Sequence, residues 1–240
     1  MKTSKEKSEL TDYAKEEGIK SPNPSIISII KAKEPFSFGV LEVLKVSVLA
    51  GGEGYETHFH SNIEIVTIPL DGELEYKDSL GNYKIIKPGD VQVLSAGTGI
   101  FHYEFNYNKY LPVTIIQIGI IPKINDIEPR YQQYTFNPES GKSNFQQIIS
   151  PYPAVKEVWI NQDAWFYMVN MQKGQNSEYK IKKNGNGIYI LVIEGALNVQ
   201  NINLKKGESI TISNLDSLNI IAESKSELLM IDLPFSVPNE

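Results

Sequence analysis

Beyond residue 25 the chain is a succession of short apolar or alternating runs, among them "VLEVLKVSVLA", "IEIVTIPL", "YKIIKPGD", "VTIIQIGII", "WFYMVNM", "IYILVIEG", "ESITIS" and "ELLMIDL". They are rich in β-branched and aromatic residues and are bounded by Gly, Asn, Asp and Pro, the pattern of closely spaced strands. Such a pattern predicts an all-β chain, an antiparallel sandwich or barrel. Ahead of the runs, "SKEKSELTDYAKEE" is rich in helix formers but lacks a wide apolar stripe, so the first residues read as a short polar helix or a mobile tail. "SPNPS", Ser21 to Ser25, ends it.

The strand pattern occurs twice. "LDGELEY" from Leu70 matches "IEGALNV" from Ile193, and "IIKPGDVQVL" matches "INLKKGESITI"; Gly72 and Gly195 lie 123 positions apart, Gly89 and Gly207 lie 118 apart. Gly72 and Gly195 follow acidic residues at the ends of apolar runs, where a tight turn calls for a positive φ, and Pro88-Gly89 likewise reverses the chain, so all four glycines read as fold rather than chemistry. The repeat predicts an extension over 1–25, a first copy over 26–136 and a second over 137–240. The joint is expected in the loop-like "TFNPESGKSN", Thr135 to Asn144.

Composition narrows the function. Hydrophobic residues make up 41% and charged residues 22% of the 240, an ordinary globular balance. The formal net charge of −6 offers no attraction to nucleic acid or anionic lipid, so neither is an expected partner. Without cysteine there is no thiolate ligand, and any metal must be held by N and O atoms. No apolar run reaches a membrane span and the N-terminus lacks a signal-peptide core, which makes the cytoplasm the expected location.

Only three histidines are present, and two of them share "THFHSNIEIV". In a strand His58 and His60 point to one face like two prongs. The third, His102, stands two before Glu104 in "SAGTGIFHYEF", a second pair of the same spacing. Both pairs fall in the first copy. Counted from the turn glycines, the second copy has Lys183 in place of His60 and Ile220 in place of His102. The asymmetry points to one metal site in the first copy and none in the second. Three imidazoles and a carboxylate suit Fe(II), Mn(II), Ni(II), Co(II), Cu(II) or Zn(II). A rival carboxylate is Glu64, which strict alternation puts on the histidines' face but about 13 Å along the strand from His60, a place at the rim. The aromatics Phe59, Phe101 and Tyr103 alternate with the ligand positions and are expected to point away from them.

With those residues in view the chain resembles the pirin family of two-domain cupins, and among them the bacterial pirin-like quercetin 2,3-dioxygenases. The likeness runs over about residues 34–235 and rests on "GYETHFHSNIEIVTIPLDGELEYKDSLGN", "PGDVQVLSAGTGIFHYE", "EPRYQQ" and "ELLMIDLP". It implies two cupin barrels of the jelly-roll type, with one divalent metal, Fe(II) foremost, held in the first by His58, His60, His102 and Glu104. The family often has Pro between its first two histidines and a basic residue after them; here stand Phe59 and Ser61, with Phe101 before the third histidine and Gly39 directly after "FSF".

The resemblance implies a dioxygenase that uses O2 to cleave flavonol-like or other enolisable aromatic substrates, with Glu104 as ligand and proton acceptor. Two other readings stay open: a metal-binding redox sensor or regulatory protein, and a non-oxidative cupin enzyme such as an isomerase, because a fold does not fix its chemistry. The last run, "ELLMIDLP", is expected to cross to the first copy.

Overall fold

The computed structural model describes residues 38–136, 145–153 and 158–235 together with the backbone of 26–31. The expected N-terminal helix or tail, and the expected joint from residue 137 to 144, lie outside the described residues. Among the described residues the chain is all β. The first copy contains β2 (Leu41–Leu49), β3 (Gly54–His60), β4 (Glu64–Asp71), β5 (Leu74–Asp78), β6 (Tyr83–Ile86), β7 (Asp90–Ser95), β8 (Ile100–Asn106), β9 (Val113–Ile120) and β10 (Arg130–Thr135). The second contains β11 (Phe145–Ser150), β12 (Val158–Trp159), β13 (Trp165–Met171), β14 (Asn176–Lys180), β15 (Asn186–Glu194), β16 (Ala196–Val199), β17 (Ile202–Lys205), β18 (Glu208–Ile212), β19 (Ser217–Ala222) and β20 (Ser226–Pro234), and the chain is preceded by β1 (Ile26–Lys31).

Each copy is a two-sheet cupin barrel. In the first, a sheet of order β10-β7-β4-β9-β2 faces one of order β3-β8-β5-β6; in the second, β1-β18-β15-β20-β13-β11-β12 faces β14-β19-β16-β17. The turn glycines behave as the repeat requires: Gly72 and Gly195 have φ of 76° and 86°, a conformation glycine adopts without a Cβ penalty.

The larger sheets of the two copies pack against each other. Val66, Ile68, Val93, Ile116 and Ile118 share one buried cluster with Phe166, Met168, Tyr189, Leu191, Leu229 and Ile231. Strands β4 and β7 are therefore buried on both faces, one lining its own barrel and the other covered by the second copy. This explains why "IEIVTIPL" shows almost no polar alternation. Each such aliphatic or aromatic side chain contributes roughly 1.5–3 kcal/mol on burial.

Two expectations about connectivity are corrected. Strand β20 pairs with β13 and β15 inside its own sheet and meets the first copy through its end, where the Pro234 carbonyl accepts from Val40 N at 3.2 Å. The crossing strand is β1, which the boundary at residue 26 places in the first copy but which pairs antiparallel with β18. In the first copy the edge beside β7 is covered by β10, which follows β9 in the chain. After β20 no equivalent strand is described, and β1 takes that edge of the second copy.

Candidate metal centre

Strands β3 and β8 are neighbours, with His58 directly opposite His102, and they turn the three histidines toward the barrel interior. The ring centroids of His58, His60 and His102 lie 4.8, 4.4 and 5.2 Å apart for the 58–60, 58–102 and 60–102 pairs. One nitrogen from each falls within 4.8 Å of the others. On β8 burial alternates as the strand period demands: Ile100, His102, Glu104 and Asn106 are buried, while Phe101 between them is exposed.

The histidines are held in the form a metal needs. His58 Nδ1 sits 2.6 Å from the carbonyl of Glu56; donating there fixes the tautomer and leaves Nε2 as the free lone pair. His102 is 2% exposed, and neither of its ring nitrogens has a hydrogen-bond partner. Burial, then His58 and His60, push its pKa down to about 3. Burial also lowers His60, with His58 and Lys45 adding to the effect. A buried imidazole with two orphan nitrogens is costly unless something accepts its lone pair. The three histidines therefore fit a divalent ion.

Glu104 lies in the same interior, 1% exposed, but its oxygens are outside the group of nitrogens that converge within 4.8 Å. Its Oε1 accepts from Thr67 Oγ1 at 3.1 Å and its Oε2 from Gln117 Nε2 at 2.5 Å. Burial raises its pKa to about 7, against the opposing effects of the Thr67 bond, the Lys45 charge and the Gln117 bond.

Glu64 is elsewhere. Asn62, at φ 51°, reverses the backbone between β3 and β4, so strand alternation does not carry across from His60. Glu64 shares the face of Val66 and Ile68, toward the second copy, and its Oε2 accepts from Ser95 Oγ at 2.7 Å. Arg130 and the backbone of Asn161 complete its surroundings, and burial raises its pKa to about 7. Arg130 in turn donates to Ser95 and the Trp159 carbonyl and lies 3.6 Å from the Trp159 ring. Glu64 thus sits at the junction of the two copies and takes no part at the rim of the histidine cup.

Phe59 and Phe101 point outward as expected, 52% and 51% exposed, with their rings 5.0 Å apart.

Strand register also corrects the counterparts in the second copy. Tyr76 pairs with Glu104 as Val199 pairs with Ile220, so Ile220 answers to Glu104, and Leu218 to His102. By the same register Tyr179 and Ile181 answer to His58 and His60. The second barrel is filled by these and other large side chains, and no second cluster of metal-binding groups occurs among the described residues. Sequence reasoning missed Thr67 and Gln117. A register-level comparison of the copies exposes them, since Ile190 and Met230 stand at their places in the second barrel.

Comparison with known proteins gives two family matches, "Pirin" over residues 22–120 and "Quercetinase C-terminal cupin domain" over 147–233. A quercetin 2,3-dioxygenase of Escherichia coli K12 is 33% identical over 197 residues, 82% of this chain and 84% of that one. A pirin-like protein of Caulobacter vibrioides is 30% identical over 215 residues, 85% and 92% of the two chains. The crystal structure of the bacterial pirin YhhW from Escherichia coli in complex with nickel(II) superposes with a TM-score of 0.78 at 29% identity, covering 89% of this chain and 94% of that one.

Proposed function

The chain belongs to the pirin family of two-domain, metal-binding cupins, and on that premise we propose that it is a dioxygenase opening flavonol-like or other enolisable aromatic compounds with O2. The observation that carries the reading is the buried His102, whose two unpartnered nitrogens sit with His58 and His60 on one wall of a barrel. Relatives named quercetin 2,3-dioxygenase and a nickel-bound pirin support it.

His58, His60 and His102 would hold the ion, with Glu104 as the fourth ligand. Each Glu104 oxygen accepts one hydrogen bond within the protein; a carboxylate has about four lone-pair sites, so one remains for coordination and another for a proton. Bound there, a divalent metal supplies a Lewis acid that acidifies the substrate hydroxyl and an open position beside it. The chain's own residues do the rest. Glu104 receives the hydroxyl proton, Thr67 and Gln117 keep its carboxylate in place, and the barrel wall keeps bulk water from the reacting ring. One O2 is consumed and one carbon monoxide leaves for each flavonol, with both atoms of O2 retained in the ring-opened ester.

A second reading, a redox-sensing regulatory protein, draws on the exposed Phe59 and Phe101, which alternate with the ligand residues on the same two strands. One experiment separates the two. Metal-loaded wild type, metal-free protein and His60→Ala are compared for carbon monoxide release and loss of flavonol absorbance, with circular dichroism as the folding control. Turnover by the loaded wild type alone supports the dioxygenase. Equal traces from all three samples across several flavonols refute it and favour the sensor.

A further inference from the structure

Strand register draws a continuous polar row across the inner face of the five-stranded sheet. Lys45 on β2 lies opposite Gln117 on β9, Gln117 opposite Thr67 on β4, Thr67 opposite Gln92 on β7, and Gln92 opposite Gln133 on β10. Residues directly opposite in neighbouring strands share a face. The corresponding row of the second barrel runs Tyr167, Met230, Ile190, Ile210. One barrel is thus plugged by large, mostly apolar side chains at the level where the other carries amides, a hydroxyl and a cation.

Glu104 accounts for Thr67 and for one atom of Gln117. Gln133, at the far end, is satisfied by Ile85 O, Asp90 and Tyr131, which leaves Gln92 and the other atom of Gln117. Gln92 is fully buried with neither amide atom hydrogen-bonded, and Gln117 Oε1 is likewise without a partner. Buried amide atoms left without a partner are unfavourable, so the wall calls for a polar occupant. Lys45 stands at the end of the row beside β3. Its Nζ donates to Tyr55 Oη at 3.2 Å and lies 4.4 Å from that ring. Among the described residues no carboxylate comes within ion-pair distance of it. An ammonium has three donors, and two of these are free.

We propose that Lys45 is the specificity-determining residue of the histidine cup, selecting aromatic chelators that carry a negative charge next to their metal-binding oxygen, with Gln92 and Gln117 receiving the remaining polar groups. The proposal rests on the reading that the cup holds a divalent ion with an exchangeable position. It makes Lys45 a residue that touches the ligand and leaves the metal to the histidines.

The test needs neither oxygen nor turnover. Protein loaded with cobalt(II) is titrated anaerobically with salicylate and with its uncharged analogue salicylamide, and the visible absorption of the metal reports binding. In wild type and Lys45→Arg, salicylate is preferred; in Lys45→Met the preference falls about tenfold, as expected for loss of a charged hydrogen bond. Cobalt uptake, followed by calorimetry, is retained in each variant, so that the ratio of the two ligands is read on loaded protein. Lys45→Gln replaces the Met variant if the latter does not fold. An unchanged preference in the neutral variant, or no binding of salicylate by wild type, overturns the assignment. Failure to release carbon monoxide from flavonols would sink the dioxygenase reading without altering this ratio.

Discussion

Glu64 gives a prediction about stability whose size follows from its surroundings. The carboxyl is 1% exposed, between the two copies, and burial lifts its pKa from the ordinary 4.5 to about 7. Below about pH 4.5 the group is protonated in both folded and unfolded chains. Between 4.5 and 7 the folded protein keeps a proton that the unfolded chain has released, so stability falls as pH rises. Above 7 both forms are ionised and the loss is complete. A displacement of this size corresponds to a ceiling of about 3 kcal/mol. Glu64→Gln keeps the shape and an acceptor for Ser95 and Asn161 while removing the ionisation. Urea denaturation of metal-free wild type and variant at pH 5, 6, 7 and 8 should show the variant gaining on wild type steadily as pH rises, with most of the gain between pH 5 and 7. Other titrating groups contribute equally to both proteins and cancel in the difference. Parallel curves across this range would refute the claim that the interface penalises the carboxylate.

Gln117→Met copies the second barrel's Met230 into the first, so the fold should persist while Glu104 loses a hydrogen bond that orients it; metal affinity measured by calorimetry should fall about tenfold to hundredfold. Phe166→Ala empties a fully buried position in the core shared by the copies and should cost about 3–5 kcal/mol in the same denaturation assay. Saturating nickel(II) should raise the melting temperature of wild type, by the equivalent of about 2.7 kcal/mol at a hundredfold excess over Kd. It should leave His102→Ala unmoved, because that variant lacks the imidazole proposed as the buried ligand.

The paired spacing of His58/His60 and His102/Glu104 placed the histidine cup, because within an unbroken strand the period of two is strict. Where the strand breaks, the period fails: Asn62 sits in the left-handed region, and Glu64 emerges on the opposite side from the one alternation predicts. Loop length misled the comparison of the copies in the same way. From His60 to Glu64 is four positions, but from Ile181 to Gly187 is six, whereas Ser95 to Ile100 spans five and Ser213 to Asp216 three. Counting from a glycine therefore lands two residues off at either end. The polar row was illegible for a different reason. Lys45, Thr67, Gln92 and Gln117 come from four separate strands and form a pattern only when pairing aligns them. The strand exchange of β1 leaves no mark in composition or periodicity, since a strand that completes a distant sheet reads like one that completes its neighbour.

That exchange gives the order of synthesis a role in assembly. Among the described strands β1 is made first, yet its partner comes nearly two hundred residues later, as in the pairing of Ile29 with Ile210. Closing so long a loop costs little more at equilibrium than closing a shorter one, because the penalty grows with the logarithm of length. Folding rate is more sensitive, since contacts distant in sequence form slowly. On the ribosome the first barrel has its own edge strand, β10, and is able to finish while β1 trails unpaired; β1 has to wait for β18 before the second barrel gains that edge. A tag or truncation that disturbs β1 therefore acts on the second barrel, and leaves the barrel bearing the histidines with β2 to β10 intact.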